Sequence, residues 1–278
     1  VVMSMHGVSK SSSQALSPGR RGVRAKCFQF DGVQDRVALD AAAAAGTLDW
    51  DGSKVWSVSV WFKDAGTDHC YVWSSCKSLA ANNRYIGIST RTVAGVGYVR
   101  FYGISGGTGL TQSPFSPTGS SGMLEVRSSD PNGILPDDGA WHNVVLTVNS
   151  AAATASGVKV YIDGALAGYT KTASVTMNMD YFSVGSRIMW NATKSDMEFP
   201  GMVSKLSIYS VLLDASDVSA IWAGGRSTDE RHLARAPVNF YRFGNDAAVF
   251  DRVADIGTGG DDGQAVNMAA LDVRSEQP

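Results

Sequence analysis

Two segments near the middle of the chain leave little freedom in how it can fold. In Asp138-Gly-Ala-Trp-His-Asn-Val-Val-Leu-Thr-Val148 and Val158-Lys-Val-Tyr-Ile-Asp-Gly-Ala-Leu-Ala167, apolar and polar residues alternate with period two. That period puts every second side chain on the same side of an extended strand, and no helix can bury such a set on one face. The same phrase recurs in Trp56–Phe62, Tyr71–Trp73, Arg84–Ser89, Tyr98–Tyr102, Met123–Arg127, Tyr181–Gly185 and Gly201–Tyr209. Ile162-Asp163-Gly164-Ala165 falls where a hairpin turn belongs, because Asp-Gly supplies two residues at ease with positive φ. The expected product is an all-β domain whose sheets have a dry face and a wet face.

The flanks read differently. Residues 1–26 carry Lys10, Arg20, Arg21, Arg24 and Lys26, and no acid precedes Asp31. A solvated terminus is one reading; an arm that docks on an acidic partner surface is the other. The first strand starts at Cys27, and Ala41–Ala45 favours a helical turn. Residues 103–122, rich in Gly, Ser and Pro, form a loop. Asp214 to Gly224 reads as a short helix, with Asp214 as its N-cap, Val218, Ile221 and Trp222 on one face, and Gly224-Gly225 as its stop. A charged linker covers 226–236, followed by a strand at 238–243 and an acidic, Gly-rich tail.

Composition closes off several functions. A formal charge of −2 without a basic stripe argues against a nucleic-acid binder. No apolar run reaches about 18 residues, so no membrane span is expected. Residues 1–26 lack the apolar core of a secretory leader, while Val1-Val2 ahead of Met3 leaves a trimmed start open. Cys27, Cys70 and Cys76 have no metal-binding spacing; buried free thiols are favoured over a Cys70–Cys76 bridge.

Four segments carry a resemblance: Phe28-Gln-Phe-Asp-Gly-Val-Gln-Asp-Arg-Val37, Trp56-Ser-Val-Ser-Val-Trp-Phe62, Gly139-to-Val148 with Val160-Tyr-Ile-Asp-Gly164, and Gly201-to-Tyr209 ahead of the short helix. Together they resemble laminin-G-like domains of the concanavalin A-like jelly-roll type. The resemblance implies a sandwich of two antiparallel sheets over 27–225, with an N-terminal arm (1–26) and a C-terminal extension (226–278). In the tail, Phe240-Tyr-Arg-Phe-Gly-Asn-Asp246 and Gly263-Gln-Ala-Val-Asn-Met268 are similar to closing segments of laminin-G-like proteins from tailed-phage virions.

The second resemblance implies a non-enzymatic virion protein, a capsid decoration or fibre component in a particle assembled in the host cytoplasm. Its partners would be other capsid or tail subunits and further copies of itself. Arg20, Arg21, Arg24 and Lys26 of the arm, with Phe240, Tyr241, Arg242 and Phe243 of the tail, are the expected docking residues. The alternative is a free carbohydrate-binding lectin or adhesion module that recognises cell-surface glycans. For it, Trp73, Tyr85, Tyr98 and Tyr102 near long loops are the candidate platforms, while Trp56, Trp61 and Trp141 fall at motif positions expected in the core.

No cofactor is expected apart from calcium, which relatives hold at a sheet edge. Asp31, Asp35 and Asp163 would be its ligands; turn capping by the same aspartates is the competing reading. Jelly-roll glucanases present paired carboxylates on one strand face. This chain has four glutamates, and Asp196 with Glu198 comes nearest to such a pair, in a segment that reads as a loop. His6, His69, His142 and His232 are scattered, no His-Glu-x-x-His motif occurs, and no Gly-x-Ser-x-Gly elbow between a strand and a helix supports a triad, since Gly103-Ile-Ser-Gly-Gly107 opens the Gly-rich loop. Gly103–Gly109 lacks the lysine of a phosphate loop. The chain is expected to bind rather than to catalyse.

Overall fold

The computed structural model describes residues 25–49, 53–64, 70–76, 85–93, 96–104, 123–127, 138–150, 157–170, 179–188, 195–244, 252–268 and 273–275. In chain order the elements are β1 (Lys26–Gln29), β2 (Arg36–Ala38), α1 (Asp40–Ala44), β3 (Val55–Asp64), β4 (Cys70–Cys76), β5 (Tyr85–Val93), β6 (Val96–Ile104) and β7 (Met123–Arg127). Then follow β8 (His142–Asn149), β9 (Val158–Ile162), β10 (Ala165–Thr170), β11 (Tyr181–Val184), β12 (Arg187–Ile188), β13 (Ser195–Asp196) and β14 (Gly201–Tyr209). The chain closes with α2 (Ala215–Gly224), a 3-10 turn (Glu230–His232), β15 (Asn239–Arg242), β16 (Arg252–Val253), β17 (Gly263–Val266) and β18 (Val273–Ser275).

The strands form two antiparallel sheets. The first runs β10-β9-β8-β3-β14-β1-β18, with β15 also paired to β14; the second runs β16-β17-β2-β11-β4-β5-β6-β7. Side chains from their facing surfaces make one core, among them Trp56, Val58, Val60 and Phe62 of β3 and Val144, Leu146 and Val148 of β8. Trp73, Phe182 and Phe101 meet them from the second sheet. This is the jelly-roll sandwich that the alternation implied, and each core side chain contributes roughly 1.5–3 kcal/mol.

Two β-bulges re-aim side chains. In β4 the register shifts between Tyr71 and Trp73, and in β14 between Val203 and Lys205. A bulge adds one residue to a strand, so the alternation beyond it changes face. Val72 and Trp73 therefore both enter the core, while Tyr71 joins Cys76 and Ile188 in a separate cluster. In β14, Val203, Leu206 and Ile208 face inward, and Lys205 is left on the outer side with Ser207 and Tyr209.

Asp214 caps α2 as expected. Its carboxylate accepts the N–H groups of Ser216 (2.9 Å) and Asp217 (3.0 Å), and Asp217 accepts the N–H of Asp214 at 3.0 Å. Gly225, at φ 67°, ends the helix. Val218 and Ile221 pack with Val145, Tyr161, Tyr209 and Leu213, which places α2 against the outer face of the first sheet.

The described strands beyond residue 226 are woven into the sandwich. β15 lines the part of the β14 edge that β1 leaves open, and β18 pairs with β1. β17 pairs with β2, and β16 pairs with β17 in the second sheet. The chain's last strands thus close edges of both sheets, which otherwise offer unpaired backbone groups to other chains.

Candidate functional site

Two tryptophans meet where α2 ends over the first sheet. Trp61 lies on the outer side of β3 because its inward neighbours are Val60 and Phe62. It is 4% exposed, since the ring of Trp222 stacks on it with centroids 5.2 Å apart and planes 12° apart. Trp222 itself, in the last turn of α2, remains 37% exposed. One face of this indole is held by another aromatic ring, and the Gly164 turn lies close to it as well.

The β9–β10 turn completes the support. Asp163 (φ 50°) and Gly164 (φ 81°) are its two central residues, as the Asp-Gly signal foretold. A Cβ on Gly164 would come within 3.0 Å of the Trp222 ring, so glycine both permits the turn and lets the indole lie close. Asp163 faces the other way. One of its oxygens accepts the N–H of Asn143 at 2.8 Å, and the other lies 2.8 Å from Nδ1 of His142.

His142 is buried at the end of β8, between two carboxylates. Its Nε2 lies 3.1 Å from Oδ1 of Asp138, which also accepts the N–H of Ala140 at 2.6 Å. Burial alone would lower the imidazole pKa, but the bonds and charges of Asp163, then of Asp138, outweigh it and hold the pKa above the ordinary histidine value. Asp138 stays 43% exposed in its side chain, so one carboxylate at this rim faces solvent.

Beneath the end of α2 lies a buried polar network. Nζ of Lys205 is 2.7 Å from Oε1 of Glu230 and donates to the carbonyls of Gly225 (3.0 Å) and Thr228 (3.1 Å). The hydroxyls of Ser207 and Tyr209 each donate to Oε2 of Glu230 at 2.6 Å. Burial and the Glu230 charge drive the Tyr209 phenol far above its usual pKa, so it acts only as a neutral donor. The guanidinium of Arg226 lies 3.9 Å over the ring of Trp141. These bonds fix the backbone at 225–230, and with it the last turn that carries Trp222.

Several residues expected to form sites are elsewhere engaged. Trp73 is not a platform: it is 1% exposed and stacks on Phe182 inside the core, because the β4 bulge turns it inward. The backbones of Tyr85, Tyr98 and Tyr102 lie in β5 and β6, with Tyr102 opposite Gly87 in register, but their side chains fall outside the described set. Arg20, Arg21 and Arg24 also lie outside the described residues. Lys26 is half-buried in β1, between β14 and β18.

Phe240, Tyr241 and Phe243 are fully buried in their own domain, and the half-buried Arg242 stands opposite Lys205 in the β14–β15 register. The aromatics cannot reach a neighbouring subunit, because the strand that carries them fills an edge of its own sheet. Asp31 accepts the N–H of Val33 at 2.6 Å, and Asp35 accepts that of Asp31 at 3.0 Å. Both cap the β1–β2 turn. Among the described residues no three His, Cys, Asp or Glu side chains converge on a point where they could share an ion, so Asp31, Asp35 and Asp163 do not make a calcium site together. The cysteines are buried as free thiols, and burial pushes Cys76 up to about 12.

Sequence reasoning placed Trp61 and Trp141 in the core and Trp222 on the buried stripe of its helix. Trp222 sits at the margin of that stripe, one residue past Ile221, and a helix of 10 residues buries only a narrow face.

Comparison with known proteins agrees with this architecture. A laminin G family model, that of the concanavalin A-like lectin/glucanases superfamily, matches residues 31–219. The chain belongs to that family. A heptameric SAP-like pentraxin from Limulus polyphemus is similar in fold, with a TM-score of 0.51 and 14% identity over 73% of this chain and 83% of the pentraxin. A carbohydrate-binding protein of putative assignment from Bacteroides ovatus is similar over 92% of this chain, with a TM-score of 0.56 and 12% identity. This chain spans 61% of the length of that protein. Curated proteins give no match by sequence. Among the described residues no helix is long and apolar enough to cross a membrane.

Proposed function

We propose that this protein is a carbohydrate-binding module that works by binding rather than turnover. The observation that carries the reading is Trp222, 37% exposed and stacked on Trp61. A saccharide ring has an apolar C–H face and a rim of hydroxyls. A rigid exposed indole receives the face at little entropic cost, and carboxylates beside it accept from the hydroxyls. The exposed carboxylate of Asp138, bonded to the same His142 that meets the turn's Asp163, offers such an acceptor.

The fold supports the same reading, since the chain belongs to a superfamily of lectins and glucanases and the Bacteroides ovatus relative is described as carbohydrate-binding. A fold alone does not fix a function, so the weight rests on the site. Asp138 and Asp163 are both engaged with His142, which leaves neither poised as a free acid or nucleophile. A place in a virus particle rests on the tail's sequence resemblance, and the aromatic strand of that tail is used inside its own domain.

A glycan array probed with the wild type and with Trp222→Ala tests the proposal. Binding to a defined set of saccharides, lost in the variant, supports it. An array that stays blank with the folded wild type refutes it.

A further inference from the structure

We infer, resting on the carbohydrate-binding reading, that Leu166 forms a second wall of the Trp222 site and makes it select sugars that carry a methyl group, as a 6-deoxy or an acetamido sugar does. Leu166 is 52% exposed and Trp222 37%. Large apolar side chains exposed singly are ordinary on a protein surface, but these two flank one turn. Gly164, in that turn, lies against the Trp222 ring. Leu166 follows two residues later in β10, about 7 Å further along the strand. One pyranose ring and its substituent cover such a span.

Register and packing fix the side on which Leu166 stands. It is opposite Tyr161 in the β9–β10 pairing, and directly opposed residues share a face of the sheet. Tyr161 packs with Val218 and Ile221 of α2, so that face is the outer one, where Trp222 also lies. Ala167, the next residue, packs against the core instead, as alternation requires. β10 is the end strand of its sheet, which sets Leu166 at the margin of the outer face.

The selectivity follows from the shape of a sugar. Its C–H face rests on the indole, and the ring substituents project sideways toward β10. A hydroxymethyl or hydroxyl group set against an aliphatic side chain loses water and gains no hydrogen bond from it. A methyl group in the same place buries apolar area against Leu166.

The experiment titrates matched sugars by NMR: D-galactose against its 6-deoxy form, and D-galactose and D-glucose against their 2-acetamido forms. Each is added to the wild type, Leu166→Ser, Leu166→Ile and Trp222→Ala. The methyl-bearing member of at least one pair should bind about three- to fivefold tighter, the worth of one buried methyl group. The deoxy and acetamido arms separate the two sources of that methyl. Leu166→Ser should abolish the preference without changing the affinity for the plain sugar, and Leu166→Ile should keep the preference. A merely structural role for Leu166 would weaken every sugar alike.

Plain and methyl-bearing sugars that bind equally, or a preference that survives Leu166→Ser, overturn this inference. With binding still lost in Trp222→Ala, those results leave the carbohydrate-binding reading standing. If no sugar binds, or if binding ignores Trp222→Ala, the site assignment itself falls and the selectivity falls with it.

Discussion

Glu230 and Lys205 meet at 2.7 Å with both side chains shut away from solvent, joining the segment after α2 to the outer side of β14. The pair is 25 residues apart in sequence, and each partner has further neutral bonds, so it holds the last turn of α2 at a fixed height above the sheet. Breaking a buried pair by removing one partner leaves an uncompensated charge. Lys205→Met should therefore cost about 3–5 kcal/mol in urea unfolding. A loss below about 1 kcal/mol would mean the pair is wet and carries no such role.

Stability should depend on pH through His142. Its folded pKa is raised by Asp163 and Asp138 in spite of burial, so the charged imidazole favours the folded state. That contribution is complete below the unfolded value of about 6.5 and disappears as pH rises through the folded pKa. Urea midpoints followed from pH 5.5 to 8.5 (roughly the window around the ordinary histidine value) should fall with rising pH. His142→Gln should flatten the curve in that window, and a midpoint that rises with pH in the wild type would contradict the assignment.

Gly185 should tolerate no side chain. Its φ is +87°, and a Cβ there would run into the ring of Phe30, which belongs to the core. Gly185→Ala combines a left-handed backbone penalty with overpacking and should cost about 2–4 kcal/mol in thermal or urea unfolding. A variant as stable as the wild type would show that the β11–β12 corner moves freely.

The C-terminal strands are structural. Ending the chain at residue 237 removes β15, β16, β17 and β18 and uncovers the edges of β14, β1 and β2. It also removes Phe240, Tyr241 and Phe243 from the sandwich. The truncated protein should aggregate or fail to fold, as read by light scattering after size exclusion. A soluble, monomeric truncation of undiminished stability would make the tail an appendage.

Much of the fold was legible because period two is a strong signal and Asp-Gly turns are specific. The turn at Asp163-Gly164, the strand Gly201–Tyr209 and the Asp214 cap all follow from local sequence. The bulges were not legible, since a register shift depends on the neighbouring strand rather than on the residues that shift. Trp73 was misplaced for that reason, with one extra residue in β4 turning its indole into the core.

The site was hidden by distance. Trp61 and Trp222 are brought together only when α2 folds back over the first sheet, and the same closure unites Lys205 with Glu230. Phe240 to Phe243 carried a clear strand signal, but whether a strand pairs with its own chain or with another is a tertiary question.

The central claim is that Trp222 receives a saccharide. The most direct measurement follows the indole N–H resonances by NMR as a saccharide identified on the array is added, with the Trp222 signal assigned by its loss in Trp222→Phe. The Trp222 resonance should shift in a saturable manner and further than those of the other six tryptophans, of the seven in the chain. Saturable binding that leaves Trp222 unmoved while another indole shifts would place the ligand elsewhere and contradict the account.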